Sequence, residues 1–102
     1  MNRVEIAHKF ASAINSDKII RIILFGSVAR GDDNEESDID ILIISNEWEK
    51  IDSLITDEVF KVVLETEELI SPYVLSEKQF NETKHFSFLT NVLREGIVIR
   101  WK

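Results

Sequence analysis

Residues 26–40 read GSVARGDDNEESDID. The stretch opens with small residues that leave backbone N–H groups free, as a phosphate cradle does. It then runs into six carboxylates: Asp32, Asp33, Glu35, Glu36, Asp38 and Asp40. A phosphate avoids negative charge of that density unless a cation stands between them. Which ligand suits both halves is decided by what flanks them.

Before the stretch, IIRIILF (residues 19–25) is short, β-branched and mostly apolar, the pattern of a buried strand. Gly26-Ser27 ends it, and Val28-Ala29-Arg30 has room for one helical turn before Gly31. After the acids, SDIDILIIS (residues 37–45) predicts a second strand, apolar on both faces beyond Asp40 and therefore central. The outer chain follows. Val4, Ala7, Phe10, Ala11 and Ile14 put one apolar face on a helix over residues 2–15. Trp48, Ile51, Ile55, Val59, Val62 and Val63 do the same for a long helix after the second strand. LISPYVLS (69–76) predicts a third strand; Pro72 cannot donate to a ladder, so the strand lies at an edge or begins there. Ser76 and Gln79 have the spacing of a capping box and open a short helix to about His85. A further helix over 87–95 is expected to stop at Gly96 in a left-handed cap, and IVIRW closes the chain as a fourth strand. The first two strands are joined without a full helix. This favours an α+β fold with a mixed sheet of about four strands flanked by helices over a doubly wound parallel one.

Composition bounds the rest. The 102 residues suit one domain, 1–102, that is 44% hydrophobic and 30% charged. Without cysteine there are no disulfides, zinc-thiolate sites or thiol nucleophiles. No apolar run reaches the length of a membrane span and the N-terminus lacks a signal-peptide core, so a cytoplasmic protein is expected. The net charge of −7 and the scattered Lys and Arg argue against stand-alone nucleic-acid binding. An acidic surface suits a basic protein partner instead.

Asp38 and Asp40 lie two apart on a strand, on one face, with Cα atoms roughly 6.5–7 Å apart. Ile39 between them points into the core. Such a pair repels itself unless something positive joins it, and Mg²⁺, which shares hard oxygen ligands with phosphates, fits. The ligand that needs both halves is thus a phosphate chain with its metal. Gly26 lets backbone approach, Ser27 offers a hydroxyl and an N–H, and Arg30 a cation.

GSVARG followed by SDIDILI resembles the DNA polymerase β-like nucleotidyltransferase superfamily, in its minimal nucleotidyltransferase (MNT) form; the resemblance extends to the closing NVLREGIVIRW. It implies that Gly26 and Ser27 bind the triphosphate of an incoming nucleotide, with Arg30 the motif arginine. It implies that Asp38 and Asp40 are the first two metal-binding acids, for Mg²⁺ or Mn²⁺, and that ATP or another NTP is the substrate. Active relatives carry a third acid on the next strand. Here Ser71 stands in that place, Glu67 and Glu68 precede the strand and Glu77 follows it, so the role passes to none of them. A domain this short would take its acceptor from another protein. The resemblance implies a HEPN-type helical partner, a toxin to which this chain is antitoxin, in some members through adenylylation of a tyrosine. The alternative is a catalytically silent nucleotide-binding antitoxin or scaffold that acts by contact. A nucleotide sensor with no transfer chemistry is a third possibility.

Other residues read more plainly. The acidic loop is expected to be solvated. His8 and His85 are isolated helix-surface residues, and Ser27 has no base placed for nucleophilic attack. Trp48, Phe86, Phe88 and Trp101 could stack on a base, but the commoner use of such aromatics is core or interface.

Overall fold

The computed structural model describes residues 1–101. α1 (Arg3–Ala13) is capped by the Asn2 side chain, which accepts from the Glu5 N–H. β1 (Arg21–Phe25) runs directly into the short α2 (Gly26–Arg30), which stops at Gly31. β2 (Ile39–Ile44), α3 (Trp48–Thr66) and β3 (Ile70–Leu75) follow, then α4 (Glu77–Thr83), α5 (Ser87–Glu95) and β4 (Ile97–Trp101). The sheet order is β3-β2-β1-β4, with β1 antiparallel to both neighbours and β2 parallel to β3. This is the expected mixed sheet with β2 inside it. β3 is an edge strand that starts at Ile70, so of the two places open to Pro72 the edge is the one taken. The Leu69 and Leu75 carbonyls accept from Ile39 and Ser45, so odd residues of β3 face β2 and the Pro72 nitrogen points outward.

Strand alternation divides the core in two. Ile22, Leu24, Ile39, Ile41 and Ile43 face α1 and α3, where Phe10, Ile14, Ile51 and Ile55 meet them. Ile23, Phe25, Leu42 and Ile44 face α4 and α5, against Phe80, Leu89 and Val92. The second face is the one that Asp40 shares, because it lies two residues before Leu42. The capping box at Ser76 forms in both directions and starts α4 where the spacing placed it.

Two expectations are corrected. Gly96 does not adopt the left-handed region; its φ is −74° and ψ 159°. A Cβ there would sit 2.4 Å from the Val92 carbonyl and 2.7 Å from Ile23 Cγ2, so glycine is required by close packing of the α5–β4 junction on β1. Nor do the aromatics, expected in core or interface, lie in the core. Trp48, Phe86, Phe88 and Trp101 are all about half exposed or more, and Val63 at the end of the α3 stripe is exposed as well. Spacing finds a helix face but not its width. Trp101 is instead held by cation–π contact, with the Arg21 guanidinium 4.2 Å from its ring and 5.3 Å from that of Phe80.

The acidic loop is exposed, as expected, but not free. Arg3 in the first turn of α1 pairs with Asp33 and Glu68 and donates to the carbonyls of Asn34 and Glu35. Glu68 is thereby committed away from the sheet face that carries Asp40. Glu67 caps α3 in the left-handed region. Among the described residues, no helix is long and apolar enough to cross a membrane.

Candidate functional site

Three backbone facts assemble the site. Antiparallel pairing sets Phe25, the last residue of β1, opposite Asp40 on β2. Parallel pairing sets Ser71 of β3 on the other side of Asp40. Gly26 leaves β1 with φ 74°, turning the chain back over the strand end. A Cβ on Gly26 would lie 2.4 Å from Asp40 Oδ2, so the bare backbone of the turn rests against the carboxylate. Cradle and acid are one place, and only glycine permits the contact.

Val28, buried, anchors α2 to the core, while Ser27 stays partly open beside Gly26. The Ser27 carbonyl accepts from the N–H groups of Gly31 and Asp32 at 2.9 and 3.1 Å, fixing where the acidic loop departs. Arg30 donates from Nε to Asp32 at 3.1 Å and from Nη1 to Glu95 at 3.5 Å. Both pairs are exposed, so each holds Arg30 only weakly.

Asp38 is exposed and Asp40 half-buried. Burial pushes the Asp40 carboxyl above the ordinary carboxylate range; the charge of Asp38 adds to the rise, and Arg30 opposes it. The two acids therefore repel, as the sequence spacing implied. Ser71 Oγ donates to Asp38 Oδ2 at 3.0 Å. Ser71, in register with Asp40, thus reaches the acid pair with its hydroxyl.

Whether this set fits a metal can be judged from its donors. Asp38 and Asp40 supply hard oxygens on one face. Among the described residues, no group of three or more His, Cys, Asp or Glu side chains is arranged for a metal ion. The fit is to an ion such as Mg²⁺ that keeps several waters and draws further ligands from a phosphate chain lying on Gly26 and Ser27. It is not a fit to an all-protein cage.

Sequence reading did not bring Tyr73, Asn91 or Glu95 to this place. Tyr73 follows Ser71 by two residues and so shares its face, a signal the strand pattern carried. Its ring lies 5.3 Å from Phe25 and 6.2 Å from Phe88, and Phe25 meets Phe88 edge-on at 5.5 Å. Asn91 and Glu95 come from α5, whose approach to α2 no local pattern announces. His8 is exposed on α1, whereas His85, expected on a helix, is exposed in the turn between α4 and α5, because α4 already stops at Thr83.

The Gly26–Asp40 contact yields a prediction. Gly26→Ala forces a side chain into a positive-φ position and onto Asp40. It is expected to cost about 1–2 kcal/mol in stability. If the cradle and Asp40 form one Mg-ATP site, it is also expected to weaken binding of Mg-ATP roughly tenfold or more, because the strain falls on Asp40. Thermal melting and titration calorimetry measure the two effects. Unchanged affinity would separate the turn from the site.

Residues 6–99 match the family described as nucleotidyltransferase domain. A protein of Methanocaldococcus jannaschii, named as a candidate protein adenylyltransferase, is 42% identical over 103 residues, spanning 97% of this chain and 99% of the relative. A second protein of the same organism and the same kind of name is 35% identical over 106 residues, spanning 97% and 100%. Among solved structures, a mutant of the toxin–antitoxin MntA-HpeT superposes with a TM-score of 0.62 at 19% identity, over 100% of this chain and 75% of that one. A toxin–antitoxin solved with AMP-PNP gives 0.59 at 19% identity, with the same coverage. At that identity the likeness is one of fold.

Proposed function

We propose that this chain, which belongs to the nucleotidyltransferase domain family, transfers a nucleoside monophosphate from a Mg-bound nucleoside triphosphate to a hydroxyl on a partner protein. The nucleotide is ATP and the group AMP. The observation that carries the reading is the contact of Gly26 with Asp40, which makes the phosphate cradle and the acid pair a single site.

In this reading Gly26 and Ser27 hold the triphosphate through backbone N–H groups and the serine hydroxyl. Arg30 exchanges Asp32 and Glu95 for phosphate oxygens. Asp38 and Asp40 would hold Mg²⁺, which when bound would supply positive charge against the phosphate oxygens. The acceptor oxygen forms a bond to the α-phosphorus, the bond from that phosphorus to the bridging oxygen breaks, and pyrophosphate leaves. The acceptor's proton is lost to solvent. The chain's contribution is positioning and charge, which is the usual division of labour in this chemistry.

The partner is a HEPN-type helical protein, with this chain as its antitoxin. The names of the curated relatives support a protein acceptor, and the toxin–antitoxin neighbours support a paired assembly. The chain's own surface supports it too: Phe60 and Leu64 on α3 are 65% and 81% exposed one helical turn apart, on an otherwise acidic protein. Intact-mass analysis of the partner after incubation with this chain and Mg-ATP is expected to show whole AMP increments. No increment on any bound partner would overturn transfer.

Ser71 favours a second reading, a contact-only antitoxin or scaffold that retains the nucleotide pocket. A serine beside Asp38 cannot serve as the general base or ligand that a carboxylate would be. Ser71→Asp is therefore expected to raise transfer by roughly 10²-fold if the active chain works with two acids. Under the contact-only reading, the wild-type chain neutralises its partner equally with and without ATP.

A further inference from the structure

Between α2 and α5 lies a cavity of about 350 Å³, lined in part by Phe25, Gly26, Arg30, Phe88, Asn91 and Glu95. It shares Gly26 and Arg30 with the phosphate cradle, so a ligand on the cradle reaches it without crossing solvent. Its volume lies in the range of small-molecule sites. Its walls differ in kind. Phe25 is buried and fixed, whereas Phe88, on the first turn of α5, leaves half its surface uncovered. Phe25 and Phe88 meet at near right angles with centroids 5.5 Å apart, and half of the Phe88 surface stays open beside that contact. Tyr73 packs against both rings and limits how far Phe88 can swing. A half-exposed phenyl ring, braced from behind at the rim of a cavity beside a phosphate cradle, has the properties of a stacking wall. Asn91, one turn further along α5, adds an amide able to donate and accept.

We infer that this cavity holds the nucleobase of the bound triphosphate, with Phe88 as the residue on which the base stacks. The inference rests on the nucleotide-binding reading above and adds where the base lies and which side chain grips it. The cradle alone binds any polyphosphate; affinity for a nucleotide over a bare phosphate chain then comes from α5.

The test compares two probes on the intact chain with Mg²⁺: a non-cleavable ATP analogue and tripolyphosphate, which has no base. Phe88→Ala is expected to weaken the ATP analogue roughly tenfold or more while leaving tripolyphosphate unchanged. Phe88→Tyr is expected to retain wild-type affinity for both. Because Phe88 is half exposed, the alanine variant should fold, and its melting curve checks this. Equal affinity of the alanine variant and wild type for the ATP analogue would overturn the base site while leaving the cradle standing. Equal loss for both probes would mean that the cavity takes the phosphate tail, and would overturn it as well. Failure of the wild type to bind either probe would overturn the nucleotide-binding reading itself.

Discussion

The double variant Asp38→Asn, Asp40→Asn is expected to lose transfer by at least about a thousandfold while keeping its fold. Both carboxylates lie at the solvent side of a strand start, one exposed and one half-buried, and neither makes a core contact that Asn would break. Asn keeps an oxygen that can accept from Ser71, so the hydrogen bond at Asp38 has a successor. What disappears is the pair of charges that a metal needs. Without metal the loss is a relief. The Asp40 carboxyl is raised by burial and by Asp38, so the folded chain holds its proton at pH values where the unfolded chain has released it. Its contribution to stability is therefore greatest at low pH and falls as pH rises through the raised value. At neutral pH and without metal, the double variant should melt at the same temperature as the wild type or slightly higher. The difference should vanish below the ordinary carboxylate range. Added Mg²⁺ and ATP should stabilise only the wild type. Melting curves across pH, with and without ligand, check each part; a double variant that fails to fold without metal would make these acids structural.

Ile39→Asp, at the residue between the two acids, should have the opposite consequence. Ile39 is fully buried, pairs in register with Ile70, and faces α1 and α3. A carboxylate there meets only apolar side chains and no cation. The lost packing and the unpaired charge together cost about 4 kcal/mol or more, against a total stability of roughly 5–15 kcal/mol for a domain of this kind. The variant should be largely unfolded or insoluble at 37 °C, seen as lost dispersion in its amide spectrum. A soluble, cooperative Ile39→Asp protein would mean that the alternation of β2 is wrong by one residue, which would also turn Asp40 into the core.

These two substitutions mark what the sequence made legible. The period-two pattern of SDIDILIIS put the acids on one face and Ile39 on the other, and the apolar run beyond made β2 internal. Pro72 placed β3 at the edge, and Ser76 with Gln79 started α4. Each rests on backbone geometry that neighbours in sequence determine. The missed features depend on residues far apart in the chain. Arg3 reaches across to Glu68, Asp33 and the loop carbonyls. Gly96 has an ordinary φ, and its need for glycine comes from Val92 and Ile23. Phe88 and Trp101 were expected in core or interface by type, and which of the two is set by how α5 and β4 lie on the sheet, which leaves both half exposed. Ser71 was expected on the third strand, where β3 carries it, but only the fold shows that its hydroxyl meets Asp38.

The proposal of nucleotidyl transfer is tested most directly by label. The chain and its host partner are incubated with Mg²⁺ and ATP labelled at the α-phosphate or, separately, at the γ-phosphate. Protein-bound label is expected from the α position only, dependent on metal and absent with Asp38→Asn. Label from the γ position, or α label that survives Asp38→Asn, would contradict the proposal.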